Sequence, residues 1–454
     1  MEHHPSRSPA SGDAVPQVLR GWLQAFRPHV IGRTWQNLLL VMGALLAPGG
    51  SAPRHHLGAL RRKPLAIIFV ARREPVQWTL MLIAQHGAVY GRNFGDVLIQ
   101  KQLADELRAR LNARVFFPQG TSAFQSDSGG DIRGKWRLPF ASFVIFGPGG
   151  YLGERRHDKE AWNRRLARFH GSLFRKIRLL RIPSAIFGVG IGPLSDPASR
   201  SLVRDILDYS RFIHLRDEDS AAYAADHLGI ARERISVGPD IALSLDRGQI
   251  PPAARQEVLG TAGTPPGRRV GIHLPVSGFA ADELDRLAAD VAAFAATRRD
   301  MQFLLLLDNP GEPFHPRLDR LAEEQENVLR VSYTDPARLL ATIESCDCVV
   351  TNKLHVGICA AALGCNPIAA YTHPKVIRFY RQIGRERFCV DLAKYESPWI
   401  SKVLEEALSM GAGDIVSTAA RLRSEVSQNI GRLSGFLDQN NSLRSRIFGM
   451  RLRT

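Results

Sequence analysis

Cys348-Val-Val-Thr-Asn-Lys-Leu-His-Val-Gly-Ile-Cys-Ala-Ala-Ala-Leu-Gly364 is the stretch on which the reading of this chain turns. Asp347–Val350 reads as a buried strand, followed by a tight polar turn and a helix of small and aliphatic residues that Gly364 closes. A strand that turns directly into a helix lies at the carboxyl end of a parallel sheet, where α/β proteins place ligands. Lys353 brings a cation to that turn and His355 a proton carrier. The free N–H groups of the helix start add partial positive charge, so the natural guest is an anion.

Working outward, the same alternation continues on both sides. Behind the stretch lie strands at Val270–Leu274, Phe303–Leu307 and Val328–Val331, separated by helices at Ala281–Ala296, Pro316–Gln325 and Asp335–Ser345. The first of these helices sets Leu284, Leu287, Val291 and Phe294 on one face. Ahead lie a strand at Pro367–Ala370, a helix from His373, a strand at Phe388–Val390, and closing helices at Ile400–Met410 and Ile415–Leu437. A Pro/Gly-rich passage over 246–268 separates this half from an earlier one. That half has strands at Leu65–Val70, Trp78–Ala84, Val115–Phe117, Phe143–Phe146, Ala185–Val189, Phe212–Leu215 and Ile235–Val237. Its helices include one with Leu103, Leu107 and Leu111 in line and another at Ser199–Tyr209. The fold class is therefore α/β, with two Rossmann-like doubly wound domains facing across a cleft. The divisions are a basic extension at 1–62 with a helix around Trp35–Leu46, a first domain at 63–247, a linker at 248–268, a second domain at 269–395, and helices with a basic tail at 396–454.

Several strand ends in the first half carry glycine or charge. His86–Asp96 is a loop in which Gly91 and Gly95 permit close approach, and Asp96 stands where an N-cap belongs and where a ligand could be touched. Gly147–Gly153 and Gly188–Pro193 read as strand-end glycine turns; the first lacks the spacing of a nucleotide-binding loop. Arg216 and Asp217 occupy the carboxyl edge of Phe212–Leu215, with Asp219 or Ser220 as cap of the next helix. An arginine there either forms a structural ion pair or clamps a carboxylate or phosphate with its fork. Asp240 braces the edge after Ile235–Val237.

A net charge of +16 on 454 residues points to nucleic acid, an anionic membrane surface or acidic substrates. The basic runs, among them Arg155-Arg156, Arg164-Arg165, Arg175-Lys176, Arg178, Arg181 and the tail from Arg444 to Arg453, lack the interleaved aromatics that stack on bases, which disfavours nucleic acid. A helix from about Lys159 to Leu180 has a basic face that suits acidic phospholipid. The five cysteines lie among apolar neighbours without zinc-like spacing and read as reduced and buried. The apolar run at 38–47 is too short to span a bilayer. A cytoplasmic protein, peripheral at the inner face of a membrane, is expected.

Taken together, Asn93-Phe-Gly-Asp96, Gly147-Pro-Gly-Gly150, Gly188-Val-Gly-Ile-Gly192, Leu215-Arg-Asp217 with Ser220, Gly238-Pro-Asp-Ile-Ala242 and Lys353-Leu-His355, followed by Tyr371, Lys375 and Gly384, resemble the polysaccharide pyruvyl transferase family over roughly residues 80–385. The resemblance implies a glycosyltransferase-B-like fold. It implies transfer of a pyruvyl group from phosphoenolpyruvate to two hydroxyls of a sugar, lipid-linked or polymeric, as a ketal, with release of phosphate. Phosphoenolpyruvate is then a donor substrate, with no cofactor and no metal, and Asp217-Glu218-Asp219 is explained by capping and solvent. By position the donor contacts carry over to Arg216, Lys353, Leu354 and His355, and Asn93, Gly149, Gly150 and Gly190 become loop contacts. Catalytic roles fall to His355 as acid or phosphate stabiliser and to Asp96 or Asp217 as base. The family usually has arginine where this chain has Lys353, which keeps the charge and loses the bidentate fork. Two other activities fit the same alternation: a sugar-nucleotide glycosyltransferase, which would want an acidic residue near that helix start, and a non-catalytic scaffold of polysaccharide assembly.

Overall fold

The computed structural model describes residues 81–132, 134–154, 158–264, 267–276 and 281–451. All belong to the second of two units into which the chain divides, 1–77 and 78–454. The helix around Trp35–Leu46, the strand Leu65–Val70, the start of Trp78–Ala84, and Arg155-Arg156 lie outside the described residues, as do the side chains of the basic tail.

The first sheet is built from β1 (Leu82–His86), β2 (Arg114–Phe116), β3 (Phe143–Phe146), β4 (Gly149–Leu152), β5 (Ser184–Ile191), β6 (Ser210–Leu215) and β7 (Ile235–Val237). Its order is β2-β1-β3-β5-β6-β7, all parallel, with β4 beside β5. Between them run α1 (Phe94–Leu111), α2 (Ser122–Ser128), α3 (Lys159–Arg165), α4 (Ser172–Leu179), α5 (Pro197–Tyr209) and α6 (Glu218–Leu228). A π turn over Leu166–Gly171 joins α3 to α4, so the basic stretch from Lys159 is helical almost throughout. Alternate residues of β3 and β5 feed opposite faces: Ile145 and Phe187 enter the cluster under α1, and Phe146 and Ile186 the one under α4 and α5.

The linker passage carries a 3-10 turn, Arg247–Gln249, and α7 (Pro252–Ala262). The second sheet follows, with β8 (Arg269–His273), β9 (Gln302–Leu306), β10 (Val328–Val331), β11 (Cys348–Thr351), β12 (Asn366–Tyr371) and β13 (Cys389–Asp391). The order β10-β9-β8-β11-β12-β13 is parallel throughout and places β11 centrally, so the strand has apolar neighbours on both sides. Its helices are α8 (Ala281–Thr297), α9 (Pro316–Glu324), α10 (Pro336–Glu344), α11 (Leu354–Ala362) and α12 (Lys375–Gln382). Gly364 ends α11 at φ +78°, the left-handed conformation a helix stop requires. Cys346, Cys348, Cys359 and Cys365 are buried free thiols, and Cys389 is half-buried.

Two helices close the chain: α13 (Trp399–Ser409) and α14 (Gly413–Arg451). Leu422, Val426, Ile430, Leu433 and Leu437 form the buried stripe of α14. Arg423 on that helix donates to Leu245 O (2.7 Å) and Ala362 O (3.0 Å). Farther along, Phe436 packs on Phe143 and Phe212. The helix thus binds both domains.

Four sequence expectations are corrected. Gly188–Pro193 is not a turn as far as Ile191, because β5 continues through it between β4 and β6, so Gly190 is a strand residue and not a loop contact. Asn93, not Asp96, caps α1: its Oδ1 accepts from Asp96 N–H at 3.2 Å, because Phe94 and Gly95 are drawn into helical backbone at the domain junction. Asp217, not Asp219 or Ser220, caps α6, its extended backbone placing Oδ1 2.7 Å from Ser220 N. Gly147–Gly153 is not a turn throughout. Gly147-Pro148 is a side-step after β3, beyond which β4 resumes pairing along β5 at Val189–Ile191.

Candidate active site

Arg216 emerges from β6 into a slot with no room for neighbouring side chains. A Cβ on Gly190 would lie 2.6 Å from its Nη2, and one on Gly150 would lie 3.4 Å away. The guanidinium is thus laid flat against backbone, and Arg216 is buried. Its Nε stands 3.5 Å from Asp217 Oδ2, and its Nη1 3.5 Å from Asp240 Oδ2. Gly149, at φ +134°, makes the bend before this contact.

Asp240 faces the second domain. Burial would raise its carboxyl, but His355, Arg216 and the Ala242 N–H outweigh burial and hold it below its ordinary value. His355 Nε2 lies 3.8 Å from Asp240 Oδ2, a distance for electrostatic attraction and not for a hydrogen bond. Neither atom has a hydrogen-bond partner among the described residues. Buried polar atoms are ordinarily satisfied, so two unsatisfied ones facing each other mark a place for a polar guest. His355 reaches this point because Gly95 has no side chain: a Cβ there would come within 2.0 Å of its Nδ1. Next to Gly95, Phe94 N donates to Asp308 O at 3.3 Å, so the Asn93–Asp96 motif is a junction between the domains.

Lys353 precedes α11, as the sequence implies, but its ammonium is engaged within its own domain. Nζ lies 2.6 Å from Asp308 Oδ1 and 3.5 Å from Glu312 Oε2. Burial pushes the Asp308 carboxyl up, and His273 and Lys353 more than reverse that, leaving it well below the usual range. His273 in turn shares a hydrogen bond with Thr351 Oγ1 at 2.9 Å.

The cations that meet Arg216 come instead from α12. Arg216, Asp217, Asp240, Leu354, Lys375 and Arg378 line one crevice with Ile358, Phe379 and Gln382. Arg378 joins the domains: Nη1 is 3.4 Å from Asp217 Oδ1 and Nε 2.8 Å from Asp219 Oδ2. His373 Nδ1 accepts from Lys375 N–H at 3.2 Å. Burial, followed by Lys375 and Arg216, pushes His373 down to about 3, so it adds no charge near neutrality. The crevice encloses about 10 Å³, room for about one water molecule.

Sequence reasoning did not single out Arg378 or His373, and named Lys375 only within a pattern. The available signal was Lys375-x-x-Arg378, two cations one turn apart after a strand end. It also passed over a buried chain on the first domain, in which Tyr90 OH meets His170 Nε2 at 2.9 Å and His170 Nδ1 meets His86 Nε2 at 2.7 Å. Burial pushes His86 down to about 3 and His170 well below its ordinary value, and it raises the Tyr90 phenol, as does Asp96. Asp96 itself is half-buried on the first turn of α1. Among the described residues no three His, Cys, Asp or Glu side chains are grouped to hold a metal, and no helix is long and apolar enough to cross a membrane.

The chain is similar in fold to the UDP-GlcNAc 2-epimerase from Neisseria meningitidis bound to UDP-GlcNAc, with a TM-score of 0.51 at 12% identity over 79% of this chain and 99% of that one. A putative UDP-N-acetylglucosamine 2-epimerase from Listeria monocytogenes gives a TM-score of 0.52 at 10% identity, covering 82% of this chain and 97% of that one. Such identities speak for architecture alone, two facing Rossmann-like domains of the glycosyltransferase-B kind. No curated protein matches the chain. The sequence profile described as polysaccharide pyruvyl transferase matches residues 93–374, from the cap of α1 to the turn before Lys375. That span is more than half the chain and takes in Arg216, Asp240 and His355, and the chain belongs to the polysaccharide pyruvyl transferase family.

Proposed function

We propose that this protein transfers the pyruvyl group of phosphoenolpyruvate to two hydroxyls of one sugar, in a polysaccharide or its lipid-linked precursor. The observation that carries the reading is the meeting of buried Arg216 and Asp240 with His355 across the domain junction, where His355 Nε2 and Asp240 Oδ2 have no hydrogen-bond partner among the described residues. Phosphoenolpyruvate carries a phosphate and a carboxylate and needs at least two fixed cations. Arg216 supplies one with a bidentate fork, and Lys375 and Arg378 supply others from the facing domain. Leu354 contributes the helix start, where backbone N–H groups favour an anion. Lys353 serves by holding Asp308 and Glu312, whose carboxylates would otherwise repel the donor.

In the reaction the donor methylene takes up a proton, positive charge develops at the adjacent carbon, and a sugar oxygen bonds to it. The carbon–oxygen bond to phosphate breaks, and the second hydroxyl closes the ketal. Two protons leave the sugar; one ends on the new methyl group and one on phosphate. His355 delivers the first or steadies the departing phosphate, with the Asp240 carboxylate 3.8 Å from its Nε2. Asp96 or Asp217 takes the proton of the sugar hydroxyl; Asp217 lines the crevice and also caps α6 and pairs with two guanidinium groups. The reading places the enzyme in the cytoplasm, at the inner face of a membrane where lipid-linked sugars are built.

The test is a screen of lipid-linked and polymeric glycans by mass spectrometry. One pyruvyl ketal should be gained only when phosphoenolpyruvate is present. Heat protection by a nucleotide sugar, with none from phosphoenolpyruvate, would overturn the reading in favour of a glycosyltransferase.

A further inference from the structure

We propose that the amino-terminal edge of the first sheet is a docking face for an anionic phospholipid bilayer. Among the described residues, the large apolar side chains left exposed are Trp136 (56%), Phe140 (69%), Leu179 (83%), Leu180 (43%), Leu259 (55%) and Val416 (48%). The first four fall in two short segments: the 3-10 helix Lys135–Phe140, which leads into β3, and the end of α4, which leads toward β5. β3 and β5 are adjacent and parallel, with Val144 beside Ser184, and Val144 N donates to Pro183 O at 3.0 Å. Leu138 and Ala141 from one segment share a buried cluster with Phe174, Ile177 and Ile182 from the other. The exposed tips therefore leave the same sheet edge side by side.

Charge selects the occupant. From Ala161 to Pro183 there is no Asp or Glu and there are seven Arg or Lys residues. Arg175, Lys176, Arg178 and Arg181 are exposed around Leu179 and Leu180, and the Arg137 guanidinium lies 5.0 Å over the Trp136 ring. A second copy of the chain would bring this positive charge against itself, which disfavours a symmetric dimer. Aromatic and aliphatic tips ringed by cations instead match a headgroup layer, where the tips enter the acyl boundary and the cations face acidic lipid. The eight residues of β5 separate this face from the catalytic edge by roughly 25 Å, so the reacting sugar is reached at about that height above the lipid. That last consequence rests on the proposed reaction; binding to lipid does not.

The full-length protein is sedimented with vesicles of phosphatidylcholine alone and of phosphatidylcholine mixed with phosphatidylglycerol. Binding is expected on the anionic vesicles only, weakening as salt rises. Trp136→Ser with Leu179→Ser, and separately Arg175→Glu with Arg178→Glu, should each weaken it by about tenfold. Leu259→Ser with Val416→Ser should bind like the parent, and all three pairs should keep the parent's thermal midpoint. Unchanged binding in both test pairs, or an equal loss in the control pair, would overturn the proposal. So would a self-association seen by sedimentation velocity that the test pairs abolish while lipid binding is absent.

Discussion

Gly95 and Gly190 matter for what they leave room for. A methyl group at 95 would sit 2.0 Å from His355 Nδ1, and one at 190 would sit 2.6–2.8 Å from the Arg216 guanidinium. Gly95→Ala and Gly190→Ala should each lower turnover at least about tenfold at a cost of about 1–3 kcal/mol in stability, measured by phosphate release and denaturant melts. Normal turnover in both would mean that neither side chain needs its present position. At Lys353 the prediction runs the other way: Lys353→Arg should retain or raise activity in the same assay, since a fork can engage Asp308 and Glu312 together. The presence of an anion-seeking turn at Lys353-Leu-His355 was legible in the sequence because strand, turn and helix start are local patterns. That the Lys353 charge is spent on Asp308 and Glu312 was not, because both partners lie on another strand-end loop more than forty residues earlier. Arg216 was legible as a strand-edge cation with two readings open, and the structure holds it in ion pairs with both Asp217 and Asp240.

At the scale of elements, short apolar runs between helical periods identified β11, α11 and their neighbours, and the boundaries moved by a residue or two. The misses came where tertiary packing decides: Asn93 displaced Asp96 as cap because α1 starts inside the domain junction, and β4 formed because β5 is long enough to pair with two successive segments. Buried histidines were also invisible, since burial depends on the whole sheet. His86, held down to about 3, and His214, down to about 4, are neutral in the fold and take up a proton on unfolding. Their contribution to stability is complete above the unfolded value of about 6.5 and is lost as pH falls toward the folded values. Each adds up to about 1.4 kcal/mol per pH unit in that window. Urea melts should show stability level above about pH 7 and falling steeply toward about pH 4, more shallowly in His214→Asn. A level profile from about pH 7 to about pH 5 would contradict the buried, neutral assignment.

For the whole molecule, alternating elements on both sides of a Pro/Gly-rich passage were enough to read two doubly wound domains. The role of α14 was not, because its stripe is helical in pattern whichever domain it covers. Leu433 is fully buried on that helix, and Arg423 ties Leu245 to Ala362. Leu433→Ala should cost about 2–5 kcal/mol, and calorimetry should show residues of both domains unfolding in one transition, at a lower temperature in the variant. Two separated transitions in the parent protein would deny α14 its bridging role. The central claim is that cations and an acid from opposite domains act on one donor, and its most direct test is phosphate release from phosphoenolpyruvate in the presence of a glycan acceptor. Release that requires the acceptor, and that falls at least about a hundredfold in both Arg216→Ala and His355→Ala, is the predicted result. Turnover like the parent's in His355→Ala, or no acceptor-dependent release from the parent across the glycan panel, would contradict it.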